Sequence, residues 1–338
     1  MTKKSKIVLS ISLGATLCVT TASTGVLVYV IKKQQAKEKA LQNARANYQN
    51  VLGMLNNKKA ELSKQNDDNK FNAIIAQLDS QKTKFDKLFE ESKNSIEKLD
   101  KLCKDIKEYL DSTIIPWEKT AKDLQSLIEQ ITKKIASLSD AKLDNIKAFA
   151  NGQLANAKKV VGVAERQELG DNIGILNEVL KYLTIYDKKT ESKEVLSNMV
   201  TRATTLKEEI DKEDDYASLR SALESAFKAA KTILEDDNKT GIEYLDAAIK
   251  LRETILVTEA SQLSAIKNER RKLNTLISEI KHYLSMGIKD SLKSEVAKLN
   301  SQIADAVQKE ASLKIGEIKK AYQSLNSAFE KFKALNEK

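Results

Sequence analysis

Apolar positions along this chain recur every three or four residues over most of its length, the period that lines one face of a helix, and strands are not expected. The clearest run is Phe71, Ile75, Leu78, Lys82, Phe85, Phe89, Ser92, Ile96, Leu99, Cys103, Ile106 and Leu110, in alternating steps of four and three. Only Lys82 and Ser92 in it are polar. A seam of this kind buries itself against a partner helix and supercoils left-handed. It predicts one helix from about residue 68 to 111, on the order of 65 Å long. Before it, residues 36 to 65 read as a helix, and Gln65-Asn66-Asp67-Asp68-Asn69 as the polar cluster that ends this helix and caps the next.

The pattern breaks at Ser112-Thr113-Ile114-Ile115-Pro116-Trp117, with Pro116 placed for the first turn of a new helix, where its missing N–H costs nothing. Trp117, Ala121, Leu124, Ile128, Ile131, Ile135 and Leu138 then form a second seam. Two seams joined by a short break predict an antiparallel hairpin, with a kinked straight continuation as the other reading. Four of the ten glycines, Gly152, Gly162, Gly170 and Gly174, follow. A phosphate-binding loop would need a preceding strand and a Gly-Lys-Ser/Thr run. Neither is present, so residues 149–175 read as a join between two helical bodies. Beyond it, helices are interrupted at residues 187–190, 211–215 and 236–241. A helix from about Thr240 to Leu284 and another from Lys289 to Leu335 close the chain around the turn Ser285-Met286-Gly287. Their seams are Leu273, Ile277, Ile280, Leu284 and Leu292, Val296, Leu299, Ile303, Ala306.

Composition strengthens this picture: one proline in 338 residues and few glycines leave little to turn the chain, which favours few, long helices. The fold class expected is all-α, an N-terminal transmembrane helix followed by long antiparallel hairpins or coiled coil and a helical bundle. The expected domains are 1–35 as anchor, 36–148 as proximal hairpin, 149–175 as join and 176–338 as distal bundle.

The net charge of +9 suggests nucleic-acid binding until its location is considered. Residues 1–59 hold ten Lys/Arg against the single acid Glu38, and the other 47 basic residues are matched by 47 acidic ones. With both signs interspersed along the helices, the body has no gathered cationic face for a phosphate backbone, and nucleic acid is excluded as a partner.

The basic excess instead brackets an uncharged run, Ile7 to Ile31, flanked by Lys3, Lys4 and Lys6 before it and Lys32, Lys33, Lys37 and Lys39 after it. Its 25 residues would extend roughly 37 Å as a helix, enough to cross a hydrocarbon core of about 30 Å with tilt. The expectation is a single-pass anchor. Two alternatives are cleavage after Ala22, which leaves the apolar Val26 to Ile31 unexplained, and lipidation at Cys18, which the bulky Leu17 disfavours. The flanking lysines nearly balance. The short lysine-tipped start favours an extracellular body over a cytoplasmic one.

Candidate chemistry is sparse. His282 is the only histidine, so no His pair for zinc exists, and its place beside Tyr283 and Leu284 near a helix end reads as a surface position. Cys18 lies in the uncharged run and Cys103 on the seam, which predicts a small core residue. Trp117, the sole tryptophan, is read as a core anchor. No catalytic residue, cofactor or metal is expected. The membrane is the expected partner, together with a protein partner or a second copy through helical seams.

Residues 196–256 carry a further order of features: Leu196, Ala203, Leu206 and Ile210, then Tyr216, Leu219, Leu223, Ala226, Ala230, Ile233 and Leu234, then Thr240, Tyr244, Ala247, Ala248, Leu251 and Ile255. This order resembles the FIVAR domain, a three-helix module of Gram-positive surface proteins. The whole chain resembles a membrane-anchored surface protein of a low-GC, mycoplasma-like bacterium. These resemblances imply extracellular display and binding of host or surface components. One span followed by long helices is also similar to the spectrin-like septation regulators of Firmicutes, which implies the opposite orientation and a structural role in division or envelope organisation.

Overall fold

The computed structural model describes residues 23–337, which are helical with short connections and, among the described residues, contain no strand. Most of the uncharged run, with Lys3, Lys4, Lys6 and Cys18, lies outside the described residues. Among those described, no helix is long and apolar enough to cross a membrane. The chain divides into two compact units, one drawn from Met1–Lys133 and Gln153–Asn177, the other from Lys134–Gly152 and Glu178–Lys338.

In the first unit, α1 (Ser23–Lys64), α2 (Asn72–Ser92) and α3 (Ile96–Tyr109) pack on one another as a three-helix bundle. The cross-contacts give their directions. Lys59 pairs with Asp79, and Tyr48 stacks on Phe89 at 4.3 Å between ring centroids, so α1 and α2 run antiparallel. Asn47 Nδ2 donates to Cys103 Sγ at 3.7 Å and Lys58 pairs with Glu118 at 2.6 Å, so α3 and its continuation run parallel to α1.

The single helix expected over residues 68 to 111 is therefore two. The chain turns at Lys93-Asn94-Ser95, where the Ser95 hydroxyl caps α3 by accepting from the Lys98 N–H. Arg45 on α1 fixes the turn from outside, donating to the Lys93 carbonyl at 2.7 Å and to Asn94 Oδ1 at 2.8 Å. The seam itself is real. Phe71, Leu78, Phe85, Leu99, Cys103, Ile106 and Leu110 are buried, while Ile75, Phe89 and Ile96 are half-buried. Ile74 and Leu102 widen it, because a helix between two neighbours needs a broader apolar face than a two-stranded seam.

The hairpin expected around Pro116 does not form. A π-helical turn, Leu110–Ile114, leads directly into α4 (Ile115–Ala136), and the Ile115 N–H donates to the Leu110 carbonyl five residues back. Proline in a continuous helix removes one backbone bond and crowds the preceding turn. Widening that turn to π geometry lets the helix pass through. Trp117, Ala121, Leu124, Ile128 and Ile131 are buried as the second seam predicts, and Ile135 and Leu138 are half-buried.

The glycine-marked stretch is helical rather than an open join. Gly152 lies in α5 (Asp144–Val160), while Gly170 and Gly174 lie in α6 (Arg166–Ile185). Only Gly162 is a turn glycine, at φ +84°, and its carbonyl accepts from the Ala73 N–H at 2.7 Å. A Cβ there would lie 2.0 Å from the Asn69 carbonyl oxygen, and Asn69 itself has φ 62°. Two tight turns of the first unit thus cross in backbone contact.

The second unit contains α7 (Lys189–Ile210), α8 (Ala217–Glu235), α9 (Gly241–Ser285), α10 (Lys293–Glu310) and α11 (Ile315–Glu337). Helices α7 and α8 pack with the first half of α9, and α10 and α11 with its second half, giving two three-helix bundles that share one continuous helix. The breaks expected near 187–190, 211–215 and 236–241 are present, and α9 has nearly the expected bounds. The final helix expected over Lys289 to Leu335 is interrupted at residues 311–314. There Arg270 on α9 donates to the Ala311 and Ser312 carbonyls, taking the place of helical N–H partners.

Candidate functional site

Three polar clusters and a groove of the described residues stand out, each set by helix register. In the first unit, Glu118 follows Trp117 on α4 and is buried at 6% exposure. Burial alone pushes its carboxyl up, but hydrogen bonds from Lys122 and Lys58 outweigh that and hold it below the ordinary carboxylate range. Both ion pairs are 2.6 Å long. Lys122 also lies over the Phe71 ring, 5.8 Å from its centroid, so the cluster ties α4 to α1 and to the start of α2.

In the second unit Arg252, buried on α9, donates from Nε to Glu178 Oε2 at 2.9 Å, and its guanidinium lies 5.3 Å from the Phe149 ring centroid. The other Glu178 oxygen accepts from the Tyr182 hydroxyl at 2.5 Å. Burial first, then Glu178, pushes the Tyr182 phenol far up, so it stays a proton donor. Nearby, Asn145 donates to Asp246 at 3.1 Å, and burial pushes the Asp246 carboxyl up. The Glu178 and Asp246 contacts fix α5 and α6 residues of this unit against α9.

The third cluster begins α9. Thr240 and Glu243 form a reciprocal capping box, in which each side chain accepts from the other's backbone N–H. The Thr240 backbone N–H, then Lys239 and the Thr240 hydroxyl, pull the Glu243 carboxyl down to about 2. A Cβ on Gly241 would approach the Tyr186 carbonyl oxygen to 2.4 Å, so glycine allows the α6–α7 turn to lie under this helix start.

The groove, about 740 Å³, lies where the α7–α8 turn, the middle of α9 and the α10–α11 turn meet. Tyr216, Leu263, Ile266 and Leu313 supply its apolar surface, with Glu209 and Lys212 among the charged residues at its edge. Leu263 and Leu313 are 62% and 73% exposed, so the groove has apolar walls open to solvent. It offers shape and ion pairing for a ligand surface.

The residues singled out for chemistry fall elsewhere. His282 is exposed, Cys103 is buried in the first bundle, and Trp117 is buried in the core. Lys32, Lys33, Lys37 and Lys39 are exposed along the start of α1. Among the described residues, no group of three or more His, Cys, Asp or Glu side chains is disposed to hold a metal ion. Sequence reasoning missed the groove and the Arg252 network, because both depend on which helix faces meet. The lone arginine at an otherwise apolar α9 position was the available signal for the network. Comparison with protein-family models, with curated proteins and with solved structures gives no match.

Proposed function

We propose that this chain is a non-enzymatic, membrane-anchored helical protein, displayed outside the cell as a stalk and binding module that contacts host or surface components. The observation that carries the proposal is the continuity of α1. From Ser23, the first described residue and one within the uncharged run, it passes the exposed Lys32 and Lys33 and continues unbroken into the first bundle, where Tyr48, Val51, Leu55 and Leu62 are core residues. A helix leaving the bilayer and entering a packed bundle without a linker would hold the body at a set distance from the membrane. The three-helix bundle that α1 enters, followed by further long helices, suits a spacer. The three-helix arrangement of α7, α8 and the first half of α9 accords with a FIVAR-like module over 196–256, and the neighbouring groove is the surface best suited to a partner.

The exposed Lys32, Lys33, Lys37 and Lys39 favour one competing reading, a cytoplasm-facing spectrin-like tether, since such a cluster is stabilised against an anionic inner leaflet. Both readings require an anchor. Full-length chain in membranes is expected to resist alkaline carbonate extraction, whereas a chain lacking residues 1–31 is expected in the soluble fraction. Release of the full-length chain by carbonate would end both.

A further inference from the structure

The two bundles of the second unit are joined by α9, and the middle of that helix is thinly supported. Between Thr258 and Leu273 only Ile266 is buried, while Val257 and Leu263 are 66% and 62% exposed. On either side the helix is clasped firmly. Arg202 on α7 makes a two-pronged ion pair with Glu259, both Nη2 contacts being 2.8 Å, and Arg270 donates to the α10–α11 turn. Beside the thin stretch, one turn reaches from the first bundle to the second. Glu213 Oε2 accepts from the Gly316 N–H at 3.3 Å in the first turn of α11, and Asp215 pairs with Lys319 one turn further on. Gly316 permits the approach, since a Cβ there would lie 2.7 Å from Glu213 Oε2.

We propose that Glu213 and Asp215 form a releasable latch, and that the second unit has two positions: the latched form described above, and one in which the bundles swing about residues 260–269 of α9, between the two clasps, and reshape the groove. Three features support this. The latch consists of one surface ion pair, Asp215 with Lys319, and one 3.3 Å hydrogen bond from the Gly316 N–H to Glu213, and contacts of this kind are weak and exchange readily. The hinge stretch carries one buried side chain, Ile266, over about three helical turns, so bending it exposes little apolar surface. Glu213, Tyr216 and Leu313 all border the groove, so releasing the latch changes the groove's walls directly. This inference does not depend on which side of the membrane the body occupies.

The test is a pulsed electron-spin distance measurement on the full-length chain, with Cys18→Ser and Cys103→Ala and labels at the exposed positions Ser221 on α8 and Lys331 on α11. The latched chain is expected to show one dominant distance. Lys319→Glu and Glu213→Ala, which removes the acceptor for the Gly316 N–H, should each raise a second population roughly threefold to fivefold, the scale of one lost exposed ion pair or hydrogen bond. Gly316→Ala should do the same even though alanine favours α11, which separates release of the latch from weakening of the helix. The exchange Asp215→Lys with Lys319→Asp should restore the single distance. A distribution that is the same in the parent and all three single variants overturns the proposal, as does a shift that the exchanged pair fails to reverse.

Discussion

Arg252 and Glu178, 74 residues apart in sequence, meet with 2.9 Å between Nε and Oε2 at the margin of the second unit's core, the arginine side chain 7% exposed and the glutamate 27%. Removing one member of such a pair leaves the other desolvated without a partner, whereas replacing both by apolar groups is often neutral or stabilising. Arg252→Ala leaves Glu178 with the Tyr182 hydroxyl and partial solvent contact, and is therefore expected to destabilise the protein by about 2 kcal/mol, and Arg252→Met with Glu178→Gln, which still accepts from Tyr182, by less. Chemical denaturation of the single and double variants checks this. A double variant as unstable as the single one would show that the pair itself, rather than the cost of breaking it, holds α6 to α9.

Gly162 makes a second prediction. Its φ of +84° and the 2.0 Å approach of a Cβ to the Asn69 carbonyl forbid any other side chain without backbone movement. Gly162→Ala is expected to cost about 2 kcal/mol or more, while Gly170→Ala and Gly174→Ala, inside α6 with open space around them, should be neutral or stabilising. Thermal melts of the three variants separate these outcomes. Equal effects at all three positions would mean that the turn crossing is not what demands glycine.

Acid should loosen the start of α9. The Glu243 carboxyl is held near 2 in the folded chain against an ordinary 4.5, so its contribution to stability is present above 4.5 and is lost as pH falls through about 2. Glu118, also held low, adds the same sign in the first unit. Amide exchange in the first turn of α9 should therefore accelerate across that range relative to the middle of the helix. Glu243→Gln, which cannot titrate, should remove the acceleration, and an unchanged pH profile in that variant would assign the effect to another group.

Much of this architecture was legible in the chain, and the exceptions have a common cause. Helix period, the polar clusters near 65–69, 187–190, 211–215 and 236–241, and the bounds of α9 depend on local sequence, and the structure agrees with them. The folds at Lys93–Ser95 and Ala311–Lys314 do not, because each is held from outside, by Arg45 and by Arg270, and a heptad pattern continues across a turn as readily as along a straight helix. Ser92, the polar residue on the seam next to the first fold, was the visible hint. Pro116 misled in the opposite direction, since a π turn five residues long lets the helix continue where proline suggests a break. The groove was illegible: Leu263 and Leu313 both fall in stretches read as continuous helix, and they become its walls only once the α7–α8 and α10–α11 turns are placed on either side of α9.

The central claim is that an N-terminal anchor displays the helical body outside the cell, and protease treatment of intact cells tests it most directly. The account predicts that an external protease cuts exposed connections beyond Lys39, such as the one after Glu310 at Ala311–Lys314, and that the fragments appear without lysis. A chain that stays whole on intact cells but is cut at the same connections after lysis would contradict it and place the body inside.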